Sequence, residues 1–154
     1  MSAAVLVVLA YLIGSVPTGV IAGVVWRDVD VREAGSGNIG ATNVARLLGW
    51  QLGSLVLVVD ILKGLLPVLL SPLVLDASWY AGLVALAAFT GHCASIFLGF
   101  RGGKGIATAT GAMLALTPVA VLLCMVVWGG VFAWRKTSSL AGLSAAALLP
   151  FLVA

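Results

Sequence analysis

Charge is what this sequence has least of. Eight Lys and Arg and five Asp and Glu serve 154 residues, and 62% of the chain is hydrophobic. So few charges exclude an ordinary soluble domain. A chain of this length buries only part of its surface, and the apolar remainder must face lipid. Cysteine occurs twice. Cys93 and Cys124 lie inside apolar runs, without disulfide or metal-ligand spacing, and read as small core residues. The N-terminus lacks the basic segment of a signal peptide, and its apolar run, Ala3–Trp26, is too long for one. It reads as an uncleaved first span, bent at Pro17 and Gly19. Glycine, by contrast, is abundant at 19 residues, which suits helices packed closely in a bilayer. The formal charge of +3 says little about partners; where the charges sit says more.

A helical span needs about 20 apolar residues to cross a hydrocarbon core of about 30 Å. After Ala3–Trp26 comes Gln51–Leu75, interrupted by Asp60, Lys63 and Pro67, and then Ser78–Phe100. Gly105–Trp134 is too long for one upright helix and carries a breaker at Thr117-Pro118. It reads as a short helix to Leu116, a turn, and a second helix over Val119–Trp134. Ser138–Ala154 is the last run. The expected fold is an all-α polytopic bundle of about six membrane segments, one of them short. This threading puts Arg27, Arg32, Arg46, Arg101, Lys104, Arg135 and Lys136 on one side and Asp76 on the other. The positive-inside rule makes the basic side cytoplasmic and puts the N-terminus and Ala154 outside. A single span over Gly105–Trp134 would move Arg135 and Lys136 outside, so charge parity favours the hairpin.

Three polar stretches stand on that one side. The first, EAGSGNIGATNVARLLG at 33–49, contains G-x-G-x-x-G, but a membrane helix precedes it where a dinucleotide fingerprint needs a strand. Its glycines let backbone N–H groups converge on an anion. Ser36, Asn38, Thr42 and Asn43 add neutral donors, and Arg46 adds a cation one helical turn from Thr42. A helix beginning near Ala41 would point its N-terminus at the same ligand. The bland alternative, a solvated turn between spans, is usually shorter. The second stretch, GHCASIFLGFRGGKGIATATG at 91–111, places Arg101-Gly-Gly-Lys104-Gly before the short helix. Leu98 and Gly105 stand where a Walker loop needs Gly and Ser or Thr. Glycine amides, a lysine and a helix N-terminus still favour a phosphate or carboxylate. The alternative, a positive-inside anchor, leaves the interleaved glycines unexplained. His92, on a straight third span, would lie about 13 Å from Arg101 along the axis. It reads either as a buried, hydrogen-bonded histidine or as a functional group. The third stretch, Arg135-Lys-Thr-Ser-Ser139, matters only by sharing the face. Asp60 and Lys63, at i,i+3, are expected to form an internal ion pair. No chain of further carboxylates suggests an ion path.

These stretches resemble the PlsY family, the bacterial acyl-phosphate:glycerol-3-phosphate acyltransferases. The matching residues are Gly35-Ser-Gly-Asn-Ile-Gly-Ala-Thr-Asn43 with Arg46, Gly91-His92, and Phe97-Leu-Gly-Phe-Arg-Gly-Gly-Lys-Gly105. Asp60-x-x-Lys63-Gly64 and the 135–139 stretch also fit. The resemblance covers the whole chain. It implies a multi-span enzyme of the bacterial inner membrane, with its active site on the cytoplasmic face. Such an enzyme moves an acyl group from acyl phosphate to glycerol 3-phosphate, giving lysophosphatidate and phosphate. Its partners would be those two substrates and membrane lipid. No cofactor, metal or nucleic acid is implied. A mixed anhydride makes a covalent acyl-enzyme unnecessary, and no Ser-His-Asp arrangement is visible. On this reading Ser36, Gly37, Asn38, Gly40, Thr42, Asn43, Arg101, Gly102 and Gly103 bind substrate, with Ser139 a further contact. Lys104 and Arg46 carry the charge, Arg46 holding the acceptor's phosphate. The departing proton goes to the donor's own phosphate or to His92.

The family also carries a seventh span and a motif of His, Asn, Arg and Glu near its C-terminus. Nothing here matches that motif, so residues 1–154 are expected to form one membrane-embedded domain shortened at its C-terminal end. The rival readings are a small transporter or anion channel, which glycine-broken helices with basic mouths also suit, and an inactive truncated relative. No convincing internal repeat supports transport.

Overall fold

The computed structural model describes residues 2–74 and 79–153. The expected outside positions of Met1, Asp76 and Ala154 lie outside the described residues. Within them all regular structure is helical, as hydrocarbon demands of a backbone that must satisfy its own N–H and C=O groups. The first span is two helices, α1 (Ala3–Ser15) and α2 (Thr18–Arg27), parted at Val16-Pro17. Pro17 supplies no N–H, and it biases Val16 away from helical geometry. A short helix, α3 (Ala41–Leu48), precedes α4 (Trp50–Leu70), which continues as a 3-10 turn over Ser71–Leu73. Pro67 lies buried within α4 without ending it. Next come α5 (Trp79–Cys93), α6 (Ile106–Leu116), α7 (Pro118–Arg135) and α8 (Ser138–Val153). Four segments are long and apolar enough to cross a membrane, and α6 and α8 are shorter apolar helices. That matches the six membrane segments expected from the sequence.

Two tight crossings organise the bundle: α1 lies along α5, and α4 along α6. In both, glycines approach the facing backbone reciprocally. Gly14 rests on the Ala88 carbonyl and Gly91 on that of Tyr11; Gly64 rests on the Thr108 carbonyl and Gly111 on that of Ile61. A Cβ at any of the four would strike backbone, so glycine sets the helix separation, as is common where lipid offers no hydrophobic drive. Leu6, Ala10, Val68, Val84, Ala85, Ala88 and Ala112 fill one core. A second core, Ala22, Val31, Val44 and Val56, lies beneath the first polar stretch. α7 packs mainly against α8.

The third span departs from expectation. The apolar run continues to Phe100, but α5 ends at Cys93. The chain turns through Ser95, makes a 3-10 turn over Ile96–Leu98, and doubles back over the end of α5.

Candidate active site

The first polar loop starts where α2 ends at Arg27. Asp28 takes a left-handed conformation, and its N–H and that of Val29 close onto Val24 and Gly23. Arg32 then donates to Asp30 from both its backbone and its guanidinium. These bonds hold the Asp30 carboxyl down at about 2, so it stays ionised at any physiological pH. Val31 and Ile39 turn inward, at 0 and 4% exposed; Val31 roots the loop in the second core, and Ile39 lies against Gly19 and Gly103. Asn43 braces it from below. Its Nδ2 donates to the carbonyls of Val31 (2.9 Å) and Ala34 (3.2 Å), and its Oδ1 accepts from Ser36 N–H at 2.9 Å. This corrects one expectation: Asn43 is buried at 2% and occupied within the protein, so it shapes the loop and does not reach a ligand. Asn38 caps its own turn, accepting from Gly40 N–H at 2.9 Å. Ser36, Gly37, Thr42 and Arg46 are exposed. The helix begins at Ala41 as the sequence suggests, and Gly40 has no side chain to cap its first-turn N–H groups.

The second loop is held differently. The N–H groups of Gly102 and Gly103 donate to the carbonyls of Cys93 (2.9 Å) and His92 (3.0 Å). A Cβ at Gly102 would strike those carbonyls, and one at Gly103 would strike His92 Nε2, so only glycine permits this return. The expected separation of His92 from the Arg101–Lys104 segment along a straight helix is therefore wrong. The chain folds back, and His92 lies directly beneath that segment. It is 4% exposed, and its Nδ1 shares a hydrogen bond of 3.1 Å with Thr108 Oγ1. Gly105 opens α6 with φ +75°, again without a capping side chain, and exposed Lys104 precedes it. Asp60 and Lys63 form the expected pair, with Nζ 2.9 Å from Oδ1.

The two loops meet. Gly103 stands against Ile39, and a cleft of about 480 Å³ is lined by Asp30, Arg32, Glu33, Gly37 and Ile39 of the first loop and by Leu98, Arg101 and Gly102 of the second. The third stretch joins them at the same end. Thr42 Oγ1 and Ser138 Oγ are 3.4 Å apart, and Ile106 touches the Gly142 position of α8. The hydroxyl that reaches the first loop is thus that of Ser138 and not of Ser139, which is exposed. Asp30, Arg32, Glu33 and Leu98 were not anticipated as lining. Only tertiary folding brings them to the cleft, although Glu33 adjoins the glycine run in sequence. Among the described residues no three His, Cys, Asp or Glu side chains gather as metal ligands would. The loop amides of Ser36, Gly40, Gly102 and Gly103 are spent on the protein itself, so the site offers the uncapped N-termini of two helices, hydroxyls and cations, which is chemistry for phosphorylated ligands.

Comparison with known proteins agrees with that chemistry. A family model described as glycerol-3-phosphate acyltransferase matches residues 4–154. The glycerol-3-phosphate acyltransferase of Geotalea daltonii is 49% identical over 97% of this chain and 77% of its own length. Two crystal structures of PlsY, an integral membrane glycerol 3-phosphate acyltransferase, are each 41% identical. Its glycerol 3-phosphate form superposes with a TM-score of 0.88, covering 97% of this chain and 74% of that one. Its lysophosphatidic acid form gives 0.90, covering 99% and 76%.

Proposed function

The chain belongs to the glycerol-3-phosphate acyltransferase family, and from that premise we propose how its polar stretches divide the work between two phosphorylated reactants. The protein is a multi-pass membrane acyltransferase that acylates glycerol 3-phosphate to lysophosphatidate, a step of phospholipid synthesis. The transport reading gives way to that assignment.

The donor is an acyl phosphate. The acceptor's hydroxyl oxygen attacks the carbonyl carbon, the bond from that carbon to the phosphate oxygen breaks, and the hydroxyl proton leaves on the departing phosphate. Such an anhydride needs no covalent enzyme intermediate, so positioning and charge stabilisation suffice. Ser36, Asn38, Thr42 and Lys104 bind phosphoryl oxygens with their side chains, beside the free first-turn N–H groups of α3 and α6. The N–H groups of Gly37, Gly40, Gly102 and Gly103 are spent within the loops, so these expected ligands shape the site instead. Arg46 holds the acceptor's phosphate, Arg101 adds a cation at the rim, and the Ser138-Ser139 hydroxyls are further ligands. The observation that carries this reading is the shared cleft, to which both glycine loops contribute backbone and Arg101 contributes charge. Asp30 does not oppose an anion there, because Arg32 pairs with it. Glu33 suits a hydroxyl better than a phosphate.

Purified protein supplied with acyl phosphate and labelled glycerol 3-phosphate should form lysophosphatidate without coenzyme A or acyl carrier protein. Turnover with acyl-coenzyme A or acyl carrier protein alone would make the donor assignment wrong. The protein resides in a bacterial inner membrane, with this end of the bundle in the cytoplasm and the N-terminus outside. The distribution of Arg and Lys supports that orientation. Single cysteines at positions 27 and 136, in a background without Cys93 and Cys124, should react with an impermeant reagent in inverted vesicles and not in intact cells. The opposite pattern would reverse the orientation.

A further inference from the structure

Under the site lies a set of buried polar side chains that binding of substrate does not require. Asp60, Lys63, His92 and Thr108 are 2, 5, 4 and 0% exposed. Lys63 Nζ faces two ways. It is 2.9 Å from Asp60 Oδ1, and it donates at 2.8 Å to the Val16 carbonyl, at the break in the first span. That carbonyl lies at the C-terminal end of α1, where a cation is favoured and an unpaired oxygen is costly in a membrane. Asp60 Oδ1 is in turn 3.9 Å from His92 Nδ1, which shares its hydrogen bond with Thr108 Oγ1. On the other side of the imidazole, Nε2 stands against Gly103, whose N–H donates to the His92 carbonyl.

A pair needing only mutual neutralisation would stop at Asp60 and Lys63. This one continues in both directions. Toward α1 it reaches Val16, the hinge on which α2 begins, and Gly19 of α2 carries the Ile39 carbonyl of the first loop. Toward α6 it reaches Gly103, the neighbour of Lys104. Both glycine loops are therefore referred to one post on α4.

We propose that His92 and Thr108 are positioning residues for Lys104. The Thr108–His92 hydrogen bond, beside the buried Asp60–Lys63 pair, holds the Gly102-Gly103-Lys104 segment in place against the Ile39 end of the first loop. The Thr108 hydroxyl fixes the imidazole so that its Nε2 edge forms a wall beneath Gly103. Without the hydroxyl the ring is free to turn, the segment loses its support, and the Lys104 ammonium leaves its position on the phosphoryl group. The proposal rests on the reading of Lys104 as a phosphoryl ligand, and it gives His92 a role other than proton acceptor.

Two replacements of Thr108 separate positioning from packing. Thr108→Val keeps the shape and removes the hydroxyl; Thr108→Ser keeps the hydroxyl and removes the methyl. Each removes one small interaction, so their melting temperatures in detergent should fall by similar amounts. Only Thr108→Val should weaken inhibition by inorganic phosphate and reduce kcat/KM, each about tenfold, the factor attached to one buried hydrogen bond. Thr108→Ser should remain near wild type in both. Wild-type phosphate affinity in Thr108→Val, or equal impairment in the two variants, overturns the proposal. Lys104→Ala is the control. If it is inactive while Thr108→Val is unaffected, positioning alone fails; if it is fully active, the phosphoryl-site reading fails and the proposal with it.

Discussion

The two glycine loops serve one cleft but are supported in opposite ways. The 28–40 loop is exposed along its polar edge and is shaped by a side chain from below, the Asn43 amide reaching three backbone groups. The 94–105 loop is shaped by backbone, through two amides returning to the end of α5 and an imidazole in the space a Cβ would need. A loop supported by one side chain tolerates small changes along its rim. A loop pressed onto backbone tolerates none. The difference follows from position: the first loop rests on a short helix beside the bundle, and the second caps a membrane helix whose carbonyls need partners.

The largest effects should erase the difference, because a cation stands beside each loop, Arg46 on α3 after the first and Lys104 within the second. Lys104→Ala and Arg46→Ala should each lower activity at least 100-fold with folding retained. Both side chains are exposed in the free protein, and losing a charge-assisted hydrogen bond to a substrate that covers them costs on the order of 3 kcal/mol. Steady-state rates beside melting curves would check this, and near-normal rates in both would remove the case for phosphate binding. The next pair should sharpen the contrast. Gly103→Ala drives a methyl into the pinned imidazole and should cost more than tenfold in activity, an overpacking penalty of about 2 kcal/mol. Gly37→Ala has φ +67° and meets only the Arg32 carbonyl, at 3.2 Å; it should cost about fivefold, near 1 kcal/mol. Equal losses at the two glycines would mean that the loops are equally rigid. The smallest effect belongs to the cysteines: Cys93→Ala with Cys124→Ala should leave activity largely intact. A folded but inactive double variant would reveal thiol chemistry at Cys93 or Cys124.

Much of this was legible because it is local. The break at Pro17, the start of α3 at Ala41, the turn at Thr117-Pro118 and the pairing of Asp60 with Lys63 each follow from proline, glycine or i,i+3 spacing. The end of α5 was not legible, because Ile96-Phe97-Leu98 continues the apolar run and hides the turn at Ser95. That turn is stabilised from another helix, by Ser95 Oγ on the Ser15 carbonyl and by the Tyr11 hydroxyl on that of Ala94. Asn38 and Asn43 look equivalent in sequence, yet one caps an exposed turn while the other lies on the buried side of α3. Asp30, Arg32 and Glu33 join the cleft only because Val31 and Ile39 anchor the loop that carries them.

The shortness of α6 sets how far its first residue stands from the end of the bundle. Eleven residues advance about 16 Å, whereas the 18 of α7, returning from the same turn, advance about 27 Å. Ile106 accordingly meets α8 at Gly142 and not at Ser138, about 6 Å below the rim at 1.5 Å per residue. The end of α6 next to Lys104 is therefore recessed, about one helical turn behind the start of α8. If the donor is the acyl phosphate proposed above, its chain can approach this recess from the side, between helices, while its phosphate stays on the polar loops.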